Sequence, residues 1–392
     1  MARLRVALVT RRYWPLLGGA EQVMGTLAEA MQQLQVEPTI ITAQWEAHWP
    51  LEITQLTVPV VRLPHPNVRG WGTLRYLWAL NRWLRRHRHA FDAVIVSSLK
   101  EDAYAALATL SGSEVPVVLR AEKGGPHGDC HWQATAPFGT RIRQRCRAAN
   151  AIIAPNHAIA EELIEAGYAA ESIEQIANGV PLLPARTEER RLAARASLGE
   201  IQHDLKVDAA TPIALYIGSL AAGKGLHDLV RAWRKIGEIW PTSRLWIVGE
   251  GPERSDLYER IRDCHLQYQI VMPGAFDDVT EFLSAADLFI SPEHVAGSSL
   301  ALLEAMSAGL PVVASKIPSH AQFLTDQVQG LLVPVKNSAA LAEAIANVLT
   351  LREAATQRAE QARKLVLESY SATRMAEQHI TLIERLFAQK QP

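Results

Sequence analysis

Cysteine is scarce: Cys130, Cys146 and Cys264 are odd in number and far apart, with no Cys-x-x-Cys pair. That excludes a disulfide framework and a cysteine-based zinc site, and a reducing, cytoplasmic compartment is expected. An excess of charge is also missing, since the formal net charge is −1. A dedicated nucleic-acid binder would carry a marked basic excess, so that class of partner is set aside. No uninterrupted apolar run reaches the roughly 18 residues that a spanning helix needs. The run Leu4–Thr10 is broken at once by Arg11 and Arg12, so no signal peptide is expected. Asp-x-Asp pairs, low-complexity segments and short-period repeats are absent as well. The remainder is ordinary globular material, 48% hydrophobic and 21% charged over 392 residues. That length exceeds what one core usually supports, so two domains are expected.

Short Val- and Ile-rich runs alternate with helix-period stretches. Strands are expected near Arg5–Thr10, Pro38–Thr42, Val58–Leu63, Ala93–Ser97, Val115–Arg120 and Ala151–Ala154. Runs that are apolar throughout belong to strands covered on both faces, hence to parallel sheets flanked by helices. The stretch Asn178–Pro184, rich in turn residues and proline, reads as a linker, followed by a charged helix near Glu188–Leu198. A second series then runs through Ile213–Ile217, Arg244–Val248, Gln269–Met272, Asp287–Ser291, Pro311–Ala314 and Gly330–Val333. The fold class expected is α/β: two Rossmann-like, doubly wound parallel-sheet domains facing across a cleft. The boundaries expected are 1–186, 187–370, and a C-terminal helix in 371–392 packing back on the N-terminal domain.

Phosphate chemistry is suggested at several strand ends. Gly18-Gly19 open a helix after the first strand, where adjacent glycines allow close approach and helix-start amides attract an anion. Gly218–Gly225 nearly spells a P-loop, but the Ser or Thr that would hold magnesium is replaced by Gly225, which disfavours a kinase or ATPase. What remains is Lys224, a point charge for a phosphate, with Ser219 in the same loop. Gly249 and Gly251 in Val248-Gly249-Glu250-Gly251-Pro252 would let a nucleotide lie against the backbone, without the G-x-G-x-x-G spacing that a dinucleotide cofactor wants. The run Ser291–Ser315 is the most informative. A strand ends there at Gly297-Ser298-Ser299, a turn able to start a helix whose amides, Leu300 included, suit a diphosphate. Glu304 follows in that helix, where a carboxylate can accept two hydrogen bonds from a ribose diol.

In order, these segments resemble glycosyltransferase family 4, the group 1 glycosyltransferases. The resemblance rests on Gly-Gly after the first strand, Asn-Gly-Val before the linker, Gly-x-Leu-x-x-x-Lys-Gly, Val-Gly-x-Gly-Pro and the Leu-Leu-Glu-Ala-Met-x-x-Gly-x-Pro-Val-Val-Ala run. It extends to about residue 370 and is strongest over 213–334. It implies the GT-B fold and a nucleotide-diphosphate sugar as co-substrate, bound by the C-terminal domain. It further implies a glycan, lipid-linked or small-molecule acceptor on the N-terminal domain, and retaining, metal-independent transfer with no separate cofactor. Carried over by motif, Gly18 and Gly19 meet phosphate, Lys224 and the Ser298–Leu300 amides meet the diphosphate, and Glu304 meets the ribose. Lys224 and Glu304 are thus the catalytic candidates.

Three positions depart from that pattern. A carboxylate expected with seven residues between it and Glu304, usually in contact with the donor sugar, is Ala296, with Glu293 nearby as a substitute. An arginine expected before Lys224 is Ser219. A histidine expected after Val117–Arg120 is absent, leaving Glu122, Lys123 and His127 as acceptor-side candidates. A nucleotide-sugar epimerase of the same fold and a catalytically silent nucleotide- or sugar-binding protein are therefore the alternative readings.

Between Glu52 and Asp92 there is no acidic residue, while Arg62, Arg69, Arg75, Arg82, Arg85, Arg86 and Arg88 accumulate around Trp71, Tyr76, Trp78 and Trp83. Such a segment reads either as peripheral attachment to a membrane face or as a packed helix with a solvated basic side.

Overall fold

The computed structural model describes residues 3–16, 18–66, 68, 71–295 and 299–389. The chain divides into two compact units, one formed by Met1–Gly179 with Tyr370–Pro392 and the other by Val180–Ser369. The first division thus falls earlier than the 186/187 expected, so Val180–Arg186 belongs to the second unit.

In the first unit the strands are β1 (Arg5–Val9), β2 (Glu37–Gln44), β3 (Glu52–Gln55), β4 (Val58–Pro64), β5 (Ala93–Ser97), β6 (Val117–Arg120), β7 (Ala151–Ala154) and β8 (Ile173–Gln175). They form one sheet in the order β3-β4-β2-β1-β5-β6-β7-β8. All neighbours are parallel except β3 and β4, which pair antiparallel through Glu52↔Val61 to Gln55↔Val58. The sequence reading missed β3 and β8. Both are edge strands with no fully buried residue, so neither shows the continuous apolar run that marks a central strand. The core beneath the sheet gathers Val9, Ile41, Leu80, Val96, Leu119 and Ile152.

The helix Ala372–Ala388 belongs to this unit and packs on the helix Gly19–Gln33. Ser371 starts it, its hydroxyl accepting from Arg374 N, and Met375, Ala376, His379, Leu382, Ile383 and Leu386 form its buried stripe. Gly179 N–H donates to Met375 Sδ at 3.2 Å, which ties the end of the first segment to the returning helix.

The second unit holds β9 (Ile213–Ile217), β10 (Arg244–Val248), β11 (Ile270–Gly274), β12 (Leu288–Ser291), β13 (Val312–Ser315) and β14 (Leu331–Val333). Its sheet is parallel throughout, in the order β11-β10-β9-β12-β13-β14. The helix Leu226–Ile239 covers it with Leu226, Leu229, Val230, Trp233 and Ile236, the spacing of one apolar face. Trp233 is fully buried, and truncating such a side chain to alanine costs about 3–5 kcal/mol. The helix Glu188–Ile201, longer than expected, is capped by Thr187, whose side chain accepts from Arg190 N.

Candidate functional site

Strand order locates the crevice in the second unit. From β9 the chain moves outward through β10 to β11, then returns to lay β12 on the other flank of β9. The loops after β9 and β12 therefore diverge, and open α/β sheets bind ligands at the carboxyl ends of such strands. Lys224 lies in the first loop and Glu293 in the second, and Lys224 Nζ stands 2.6 Å from Glu293 Oε1. The two loops are laid against each other by His294 N–H, which donates to the Gly223 carbonyl at 2.7 Å. His294 Nε2 is 2.7 Å from Asp228 Oδ2.

The loop packing explains the missing P-loop hydroxyl. Gly225 sits at φ +69, and a Cβ there would stand 1.9 Å from the Pro292 carbonyl oxygen. Serine or threonine has no room.

Gly249 and Gly251 are also packing glycines. A Cβ on Gly249 would meet Gly218 O at 1.9 Å, and one on Gly251 would meet Leu220 O at 2.3 Å. Gly249 N–H already donates to Gly274 O at 2.8 Å. The space left by their absent side chains is thus filled by a neighbouring strand-end loop. Ser219 is exposed, and its carbonyl accepts from Tyr216 Oη at 3.0 Å. Burial, with Glu293 and Glu253 adding to it, pushes the Tyr216 phenol up, so it stays a neutral donor.

Gly297 and Ser298, like Ala296, lie outside the described residues. Ser299, at φ +51, caps the helix Leu300–Ala308. Its Oγ is buried with no hydrogen-bond partner among the described residues. Leu300, Leu302, Leu303, Glu304, Ala305 and Met306 are all buried, so Glu304 is a carboxylate placed inside an apolar helix.

Behind Glu293 stands His320, fully buried, with Nδ1 2.8 Å from Ser315 O and Nε2 3.2 Å from Ser291 Oγ. Burial holds this imidazole below its ordinary range. Sequence reasoning missed His320 entirely. Glu293 was legible only as the carboxylate nearest Ala296.

In the first unit the order likewise reverses between β1 and β5. Gly18 is extended at the start of the helix Gly19–Gln33, whose first turn carries Glu21. A Cβ on Gly18 would lie 2.3 Å from Glu21 Oε2, so that carboxylate folds over the helix start where an anion is favoured. Arg12 Nε is 3.6 Å from Glu21 Oε1.

Glu122, just past β6, is held in a buried network. Ser97 Oγ donates to its Oε1 at 2.8 Å, Arg120 Nη1 donates to both oxygens at 3.0 Å, and Arg120 Nη2 donates to Asn178. Asp129 accepts from Glu122 N at 2.8 Å. Burial raises the Glu122 carboxyl against the pull of Arg120. Lys123 is exposed; His127 closes the turn Gly125–His127, and its side chain lies outside the description.

The basic cluster separates into two populations. Arg62 is buried, donating to the Pro50 and Trp14 carbonyls at 3.0 Å and lying over the Trp14 and Trp49 rings. Tyr76 is core and Trp83 is half-buried against Phe91, while Arg69 lies outside the described residues. Trp71, Leu74 and Trp78 are 57%, 62% and 62% exposed, and Arg75, Arg82, Arg85, Arg86 and Arg88 are exposed beside them.

Two family models match the chain: Glycosyltransferase Family 4 over residues 17–182 and Glycosyl transferases group 1 over residues 199–365. Among curated proteins it is similar to the lipopolysaccharide core biosynthesis glycosyltransferase LpsE of Rhizobium meliloti, 26% identical over 46% of this chain and 52% of that protein. It is also similar to the N-acetyl-alpha-D-glucosaminyl L-malate synthase of Bacillus anthracis, 20% identical over 75% of this chain and 71% of that one. The first of these matches therefore spans about half the relative's length. Among solved structures, Anabaena HepE in complex with UDP and glucose superposes with a TM-score of 0.77 at 18% identity, covering 98% of this chain and 100% of that one. With two parallel-sheet α/β units of the GT-B kind and both family models matched in sequence order, the chain belongs to the group 1, family 4 glycosyltransferases.

Proposed function

We propose that the protein transfers a sugar from a nucleotide diphosphate to an acceptor, with the donor held by the second unit. The observation that carries this reading is Lys224 at the β9/β12 crevice, on the loop packed against the one that leads into the helix Leu300–Ala308. An ammonium group and a helix start together suit a diphosphate leaving group, and Glu304 suits the ribose. In the HepE structure the bound molecules are UDP and glucose, which supports a nucleotide-sugar donor here. Transfer is retaining and metal-independent in this reading, since Lys224 and backbone amides supply the neutralising charge. Incubation with pooled UDP-, GDP- and ADP-sugars and analysis of products tests it. A new glycoside formed in the presence of EDTA is expected, whereas an epimerised donor or no product at all sinks the reading. Transfer lost with EDTA and restored by magnesium or manganese sinks its metal-independent part.

The exposed face of the helix Trp71–His87 favours a lipid-linked acceptor met at a membrane face. Trp71, Leu74 and Trp78 form an apolar patch on one stripe, and Arg82, Arg85 and Arg86 continue that stripe. No helix among the described residues is long and apolar enough to cross a membrane. Each basic residue near an anionic surface contributes about 1 kcal/mol, in addition to the apolar contact. Co-sedimentation with anionic but not neutral vesicles, weakened by salt, is expected; equal behaviour with both lipids leaves the stripe a solvated helix face.

A further inference from the structure

Three helices of the first unit lead from the carboxyl ends of its strands back to the amino ends: Trp71–His87 between β4 and β5, Glu101–Thr109 between β5 and β6, and Gly139–Cys146 into β7. The middle helix packs against both of the others. It is rich in alanine, whose side chains reach less far than those beside it, and a cavity of about 340 Å³ opens over Ala105 and Ala108. One wall is Leu77 and Asn81, and the other is Phe138, Arg141 and Ile142. That volume lies at the small end of ligand pockets, which run from roughly 300 to 1,000 Å³, and suits one flexible chain better than a helix about 10 Å across.

Phe138 stands at the edge of this groove. It is 78% exposed and holds φ +60, a left-handed conformation that a bulky residue adopts only at a cost. Exposure and backbone both disfavour the ring where it stands, which points to a partner outside the chain. On the opposite wall the exposed patch runs into the groove, because Leu74, Trp78 and Asn81 follow one another at helical spacing.

The charge along the rims is of one sign. Arg82 lies over the Trp78 ring, Arg145 lies over the Tyr104 ring, and Arg141 is exposed on the far wall. Glu101, the one acid in the lining, is held by Arg11 Nη2 at 3.3 Å. An apolar channel between arginines fits an amphiphile with an anionic head and disfavours a cationic one. Glu101 and Phe138, both at helix starts, put one end of the groove at the carboxyl ends of the strands, where open α/β sheets bind ligands.

We propose that this groove holds one alkyl chain of an anionic lipid, with the head group delivered to the carboxyl end of the first unit's sheet. The proposal rests on the lipid-linked acceptor reading above and adds a site to it: the chain is drawn out of the bilayer into the protein.

The test is calorimetric titration of the full chain with dodecyl phosphate, butyl phosphate and dodecyltrimethylammonium, each kept below the concentration at which it forms micelles. Each methylene buried tightens binding by about fourfold, so dodecyl phosphate should bind at least about a hundredfold more tightly than butyl phosphate. It should also bind at least about tenfold more tightly than the cation. Ala108→Leu fills the floor and should weaken dodecyl phosphate at least about tenfold. Phe138→Gly removes the ring and frees the left-handed backbone, so it should weaken dodecyl phosphate by about the same factor while the melting temperature holds or rises. It also covers the case in which Ala108→Leu does not fold. No binding by the wild type, equal affinity for phosphate and ammonium, or wild-type affinity in either folded variant overturns the proposal. A melting temperature that falls in Phe138→Gly makes the ring structural and counts against its place at the groove. Because the probes are monomeric, the result is separate from vesicle attachment. A chain that pellets with anionic vesicles yet takes up no dodecyl phosphate loses the groove and keeps the membrane reading, whereas one that takes it up without pelleting keeps the groove and loses attachment at a membrane face.

Discussion

His379 makes the first unit sensitive to acid. It lies fully buried in the helix Ala372–Ala388, its Nδ1 2.7 Å from the Met375 carbonyl and its Nε2 without a hydrogen-bond partner among the described residues. Burial, reinforced by the Arg120 guanidinium, holds its pKa at about 3, against an ordinary value of 6.5. The folded chain keeps this ring neutral, while the unfolded chain protonates it below about 6.5. Between those limits the unfolded state binds the extra proton. Stability is therefore complete above about pH 6.5 and falls with pH down to about 3. Between pH 7 and pH 5 the loss from this one residue is about 2 kcal/mol. Buried carboxyls such as Asp102, Glu122 and Asp129, raised by burial, act with the opposite sign, but they are common to wild type and variant. The perturbation is His379→Leu, which removes the titrating ring at similar volume. The assay is urea-dependent hydrogen exchange of peptides from Gly19–Gln33 and Ala372–Ala388 at pH 7 and pH 5, so that the first unit is read by itself. The wild type should lose about 2 kcal/mol more than the variant on acidification. Equal losses would refute the reasoning, because they would mean that the ring is protonated in the folded state or reached by water there.

Three further outcomes follow from the second unit. Lys224→Met should weaken nucleoside diphosphate binding by about ten- to hundredfold while leaving the nucleoside almost untouched, measured by calorimetry; parallel losses would take Lys224 away from the phosphates. Glu304→Gln should weaken any nucleoside diphosphate by about tenfold and leave inorganic pyrophosphate unchanged, since only the former carries a ribose diol; equal effects on both would end the ribose role. Gly225→Ala should lower the melting temperature, with about 1–3 kcal/mol lost to the left-handed backbone and to the Pro292 carbonyl, and an unchanged melting curve would mean that the two loops separate at no cost.

Much of the architecture is written locally. Continuous apolar runs such as Ala93–Ser97 and Ile213–Ile217 admit little except a strand covered on both faces, and Thr187 and Ser371 mark their helix starts by chemistry alone. The edge strands Glu52–Gln55 and Ile173–Gln175 carry no such signature, because an edge strand has less surface to hide and its residues are chosen by solvent. Lys224, Ser299 and Glu304 were legible as candidates because loop position and residue type suffice to propose a charge, a helix start or a buried carboxylate.

Which partner each group takes was not legible. That Lys224 meets Glu293 and that the Pro292 carbonyl fills the space beside Gly225 depend on β9 and β12 being neighbours in the sheet, although far apart in sequence; that Gly218 fills the space beside Gly249 depends on β9 lying next to β10, and that His320 presents a lone pair to Ser291 depends on β12 lying next to β13. Likewise Arg62 and Arg82 look alike in a string of residues, yet one is buried over two tryptophans and the other is solvated. The sequence by itself determined the elements buried on both faces, the family and the inventory of charged groups, because propensity, periodicity and motif spacing act within a few residues. Only the tertiary structure decided which charges are paired, buried or solvated, because desolvation and hydrogen-bond geometry are set by what the rest of the chain brings alongside.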